Sequence, residues 1–179
     1  SSTITINNAS GSYDYTGIIS GSTSLTKSGA GSQTISGANT YSGSTTISSG
    51  TLKLGNASAL GNTTGATSIT SGAVLDLNGI NYTNAEALTI NGTGISSGGA
   101  VINSSATGAT YAGLITLGSD SSIVGGTGSI ALSNSGTISG TFGLTLGGSV
   151  GGSVTSVIGT STGSLTKTGS GTWTLNGVN

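Results

Sequence analysis

The chain contains no cysteine, proline, methionine or histidine, and among its 179 residues only three are basic and four acidic. Without cysteine there can be no disulfide and no thiolate metal site, and the redox compartment stays open. Without histidine there is no imidazole to act as base or metal ligand. The basic residues are Lys27, Lys53 and Lys167, with no arginine, so a phosphate backbone would find almost nothing to neutralise it, and nucleic-acid binding is excluded. No apolar run approaches the roughly 18 residues a membrane-spanning helix needs. A charged n-region followed by an apolar h-region is also missing, so this piece shows no secretion signal.

What is present is glycine and hydroxyl. Glycine occupies 35 positions, and Ser and Thr together occupy 65 (34 plus 31). Such bias can mean disorder, but disordered segments are typically charged, proline-rich and poor in β-branched residues. Here mean hydropathy is positive, at +0.21, and Ile, Val and Thr recur in strand-length runs. The composition points to ordered β structure.

The stretch Ser24 to Gly55 sets the pattern. Short alternating runs (Leu25 to Lys27, Gln33 to Ile35, Thr45 to Ile47, Thr51 to Leu54) are cut by Gly29, Gly31, Gly37, Gly43 and Gly50. Period-two alternation is the mark of a half-buried strand, and glycine supplies the corners. Residues 43–50 align on 65–72 at an offset of 22, and Leu52-Lys-Leu54 aligns on Leu75-Asp-Leu77 at 23. Tyr15 to Ile19 is echoed by Tyr111 to Ile115 at an offset of 96. The offsets of 22 and 23 suit one turn of three short strands. Further strands are expected at Ile69, 74–77, 88–90, 101–102, 114–117, 123–124, 130–132, 137–138 and 144–146, with longer loops at 56–64 and 79–87. Leu, Ile and Val should face inward, and Ser, Thr and Asn outward or into corners. The expected fold is all-β: one right-handed parallel β-helix over 1–179, about 20–23 residues per turn and roughly eight turns, on the order of 40 Å long at strand spacing.

The same stretch resembles the autotransporter-associated β-strand repeat of passenger domains in secreted Gram-negative surface proteins. The matching residues run from Leu25-Thr-Lys27 through Gly29 and Gly31 to Thr34-Ile-Ser-Gly-Ala-Asn-Thr-Tyr-Ser-Gly43. They continue through Thr45, Thr46, Ile47 and Gly50 to Leu54. Gln33 departs from the family's apolar preference, and residues 164–179 repeat the motif's opening. The resemblance implies a β-solenoid and export to the bacterial surface, and no chemistry.

A longer period underlies the short one. Residues 1–39 align without a gap on 141–179, with 12 of 39 positions identical, among them Lys27 and Lys167. The pattern is cut at both ends without the polar caps a solenoid needs, so the segment is expected to come from a longer chain of super-repeats about 140 residues apart.

Sites for chemistry are scarce, and the expectation is that there are none: catalytic, cofactor-binding and metal positions are all absent. Gly147-Gly-Ser149-Val-Gly151 fits the hydrolase elbow pattern, but no imidazole can take the proton from Ser149. Polysaccharide-cleaving β-helices need paired carboxylates, or carboxylates holding calcium. Only Asp76 and Glu86 are close in sequence, and both read as solvated surface charge, with Asp76 pointing out between Leu75 and Leu77. Tyr41 and Tyr111 should flank corners, and Trp173 should fill a core layer at the position of Gln33. An exposed aromatic pair with carboxylates in reach would favour sugar binding. Asn8, Asn56, Asn62, Asn81, Asn91 and Asn103 open glycosylation sequons, as chance predicts in so Ser/Thr-rich a chain.

The reading that follows is a non-enzymatic extracellular stalk, fibre or adhesin shaft on a bacterial surface. It is expected to continue in a longer chain or to associate end to end into filaments. The alternatives are a glycan-binding passenger module and, more weakly, a β-helical polysaccharide-degrading enzyme.

Overall fold

The structure is a computed structural model that describes residues 2–178, so Ser1 and Asn179, the last partner in the 140-residue match, fall outside it. Among these residues lie twenty β-strands and a single 3-10 turn at Ile95–Ser97. All the strand pairings are parallel, and the strands form two sheets, one of fifteen strands and one of five.

The larger sheet supplies two faces of the solenoid. The first face stacks Thr3–Asn7, Ser24–Ser28, Thr45–Ile47, Thr67–Ile69 and Leu88–Gly92, and continues through the start of Ile115–Val124 to Thr137–Ser139 and Val157–Gly159. The second stacks Ser12–Tyr15, Ser32–Ile35, Thr51–Leu54, Val74–Asp76 and Val101–Ile102, then the end of Ile115–Val124, Leu144–Gly147 and Leu165–Lys167. The third face is the smaller sheet, Asn81–Tyr82, Ala109–Tyr111, Ile130–Leu132, Gly151–Val154 and Thr172–Leu175. About eight turns result, and the sequence offsets are the turn lengths. Thr45 pairs with Thr67 at 22, and Leu52 with Leu75 at 23. One turn is longer: Leu88 pairs with Ile115, an offset of 27. The excess residues include the turn at Ile95–Ser97, and the register shifts beyond Ile90.

The core is a long, mainly aliphatic column and a smaller cluster of Ile19, Leu25 and Tyr41, with Ile6 packed against both. Leu25, Ile35, Ile47, Leu52, Leu54, Ile69, Leu75 and Leu77 are all fully buried. The inward rows also hold polar residues that the alternation alone assigned outward or to corners. Thr45 and Thr67 stack on each other inside, and Gln33 is buried. Lys27 is buried too, its ammonium donating to the carbonyls of Ser28, Gly29 and Ser49 at 2.7, 2.8 and 3.2 Å. These carbonyls belong to two successive corners, so the charge ties one turn to the next. Lys167 repeats the arrangement on Thr168 and Gly169.

The corner after each lysine requires glycine. Gly29 and Gly169 both adopt positive φ, 74° and 70°, and a Cβ on Gly29 would overlap the carbonyl of Asn8 in the turn below. The strand–corner–strand unit is thus the same in both copies, but its place is not. Residues 24–35 lie on the first and second faces, residues 165–175 on the second and third. The motif encodes a corner, whichever edge of the solenoid the corner occupies.

The residues 56–64 form the expected loop without strand, burying Ala59 and Leu60. Within 79–87, Asn81–Tyr82 is a short strand that opens the third face. The strands Ala109–Tyr111, Gly151–Val154 and Val157–Gly159 lie outside the expected set; in the last two, glycine and serine blur the alternation.

Candidate functional site

Ser149, Asp14, Asp76 and Asp120 lie apart from one another, each bonded to its own neighbours. Ser149 is exposed, and its hydroxyl donates to the carbonyl of Gly126 at 2.6 Å. Asp14 and Asp120 lie apart and accept from the Ser36 hydroxyl and the Gly143 amide, each at 2.7 Å. No group of three His, Cys, Asp or Glu able to hold a metal occurs among the described residues.

Asp76 does point away from the core, as its place between Leu75 and Leu77 requires, but it is not solvated. It is 3% exposed, covered by the turn after Val101–Ile102. Its Oδ1 accepts the Asn78 and Ser104 amides at 2.9 and 3.0 Å, and its Oδ2 accepts the Ser104 hydroxyl at 2.5 Å. Lys53 Nζ stands 3.6 Å from Oδ2 and donates to the Ser104 hydroxyl at 3.0 Å. The carboxylate fastens a corner to the turn above it.

Glu86 departs further from the surface charge the sequence suggests: it is fully buried in the core. Its Oε1 accepts from Thr67 Oγ1 and its Oε2 from the Tyr82 hydroxyl, both at 2.6 Å, and its backbone carbonyl accepts from the Tyr111 hydroxyl at 2.9 Å. Tyr82 and Tyr111 stack with ring centroids 5.5 Å apart and planes 11° from parallel. Tyr41, also buried, bonds Thr45 Oγ1 at 2.6 Å. Tyr41 and Tyr111 therefore fill the core instead of flanking corners. Burial lifts the Glu86 carboxyl to about 7 against the opposing pull of the Thr67 and Tyr82 hydrogen bonds. Burial first, and then the neighbouring Glu86, raises all three tyrosines above their usual range. The spacing to the bonded partner is shared, since Tyr41 reaches residue 45 and Tyr82 reaches residue 86, four on in each case, but by strand register Thr45 and Thr67 are followed by Leu88 and not by Glu86.

The aromatic platform is likewise undone. Tyr13 and Tyr15 are 58% and 42% exposed, and they occupy the inward register below Gln33 and Ile35. Asp14 lies between them on the opposite side of the strand, out of reach of both rings. Trp173 takes its expected place, half-buried against the core, its indole donating to the Gly147 carbonyl at 2.9 Å. Two open depressions, about 390 and 230 Å³, are lined by Asn, Ser, Thr, Gly, Ala and aliphatic residues, without an acid or a base.

This architecture defines the class as a parallel β-solenoid whose buried polar groups hold turns together. The family model of the passenger-associated transport repeat matches residues 25–54 and 165–179, both segments beginning at the Leu-Thr-Lys strand. The match is consistent with the resemblance of the sequence to the autotransporter passenger repeat, and the two matched segments start 140 residues apart. Neither a curated protein nor a solved structure matches the chain.

Proposed function

We propose that this segment is a non-enzymatic shaft module of a passenger on the outer surface of a bacterium, serving as a stalk, fibre or adhesin shaft. The observation that carries this reading is the first face. Thr5, Thr26, Thr46, Ser68, Thr89, Thr116 and Ser139 are successive register partners over seven turns, none of them charged or aromatic. Such a face keeps a nearly uncharged rod hydrated and offers nothing to grip a substrate. The acids that an enzyme would need are consumed in holding turns together.

A glycan-binding role draws support only from the exposed rings of Tyr13 and Tyr15, and their carboxylate neighbour faces away. The test is incubation of the protein with a panel of polysaccharides, measuring both turnover and retention. The expected result is no turnover and no retention, unchanged in Ser149→Ala. Cleavage lost in Asp76→Asn would overturn the shaft reading, and saturable retention lost in Tyr13→Ala would replace it with the binding one.

In this proposal the isolated 179-residue chain self-associates end to end wherever it does not continue in a longer one, because inward positions of its first and last turns (Ile4 and Tyr13; Leu165 and Leu175) lie partly exposed. A heterologous contact of that kind grows filaments. Negative-stain microscopy should show thin filaments abolished by charged substitutions in Thr3–Ile6; a monodisperse monomer at high concentration would contradict it.

A further inference from the structure

Among the described residues, the Glu86 cluster is the one place where a carboxyl is sealed in the core without a counter-ion. The cations are accounted for elsewhere. Lys27 and Lys167 are bound to their own corner carbonyls, and Lys53 stands at Asp76. The groups that face Glu86 and its hydroxyl donors are Thr67 on the first face, Tyr82 and Tyr111 on the third, and Tyr41 with Thr45 from the preceding turns; the titratable ones are the three tyrosines, and none is charged near neutrality.

We propose that Glu86 is a proton-operated latch: protonated, it closes a neutral hydrogen-bonded cluster across successive turns, and deprotonated, it places an uncompensated charge in the core and loosens them. In the protonated state the acid proton can be given to Thr67 Oγ1, since a hydroxyl accepts as readily as it donates. In the ionised state both hydroxyls donate, but the charge remains walled in by tyrosine rings and aliphatic side chains.

The sign follows from linkage. The folded chain holds this proton up to about 7, against an ordinary value of 4.5 in the unfolded chain. Between those values the folded state binds more protons than the unfolded state, so stability falls as pH rises. The contribution is complete below 4.5, is lost progressively up to about 7, and changes no further above that. With no histidine in the chain, no other side chain has an ordinary value in this window.

The test is thermal unfolding of the full chain and of Glu86→Gln across that range. Gln keeps the shape and hydrogen-bonding capacity of the neutral acid. In the native chain the unfolding equilibrium should rise by roughly two orders of magnitude between the two limits, lowering the midpoint by on the order of 10 °C. Glu86→Gln should be nearly flat. A flat native profile, or an equal slope in the variant, would overturn the latch. Should the variant fail to fold, infrared difference spectra of the native chain decide instead: a protonated carboxyl band that disappears near neutrality supports the proposal, and one that titrates only with the ordinary acids refutes it.

Discussion

Replacing Leu77 with aspartate is expected to cost about 3–5 kcal/mol of stability, because it buries an unpaired charge with no cation within reach. Leu77 is fully buried beside Leu75, Tyr82 and their neighbours in the aliphatic column. The comparison that gives the result meaning is Lys53→Asp, on the outward side of the adjacent turn. Alternation alone predicts almost no effect there. The structure predicts about 1–2 kcal/mol, since Lys53 faces the buried Asp76 at 3.6 Å and its replacement sets a like charge against it. Chemical denaturation of both variants checks this: equal losses would mean that the inward and outward registers have been confused.

The second large effect is expected at Gly113. A Cβ there would overlap the carbonyl oxygen of Glu86 and press on the Tyr111 ring. The first obstacle is backbone in the neighbouring turn, so relief requires the turns to separate. Gly113→Ala should cost about 2–4 kcal/mol, at the upper end of overpacking penalties. Gly126→Ala is the control, because its Cβ would meet nothing nearer than the Asn103 carbonyl at 3.7 Å. It should stay within about 0.5 kcal/mol, as substitutions away from special features do. Equal melting temperatures for the two variants would show that turn spacing is not fixed by backbone contact at this corner.

Much of the solenoid was legible because its repeats are its geometry. The alignment of Gly43–Gly50 on Gly65–Gly72 is the register Thr45 to Thr67, and the added residue before Leu75 reappears as the offset of 23. Alternation fixed the direction of Leu52, Leu54, Leu75 and Leu77, and of Lys53 and Asp76. It failed where direction does not decide exposure. Asp76 points outward, yet the Ser104 turn covers it, and nothing in its own strand announces that cover. Lys27 and Glu86 point inward because backbone carbonyls and hydroxyls from neighbouring turns receive them, an arrangement that single-strand patterning cannot see. The polar core residues are therefore the part of the molecule that only stacking reveals.

The two copies of the repeat carry a related lesson. Leu25-Thr-Lys27 and Leu165-Thr-Lys167 make the same hydrogen bonds to their corners from different faces of the rod. Local sequence fixes the strand–corner–strand unit, while the lengths of the intervening turns fix where around the axis it falls. The long turn between Leu88 and Ile115 alters that phase.

The most direct measurement of the central claim, that the 22-residue offset is one turn of a parallel solenoid, is a paired-cysteine cross-link. The chain has no cysteine of its own, so introduced thiols have no competitors. Thr46 and Ser68 are register partners on the outward side of the first face. Adjacent strands place such partners about 4.8 Å apart, within the span a disulfide bridges. The control pair, Thr46 with Thr70, is displaced by two residues along the strand to about 8 Å, beyond that span. On mild oxidation, Thr46→Cys/Ser68→Cys should lose both free thiols as a monomer, and Thr46→Cys/Thr70→Cys should retain them. Equal cross-linking of the two pairs, or cross-linking of the displaced pair alone, would contradict the stacked-turn register on which the fold and the proposed shaft both rest.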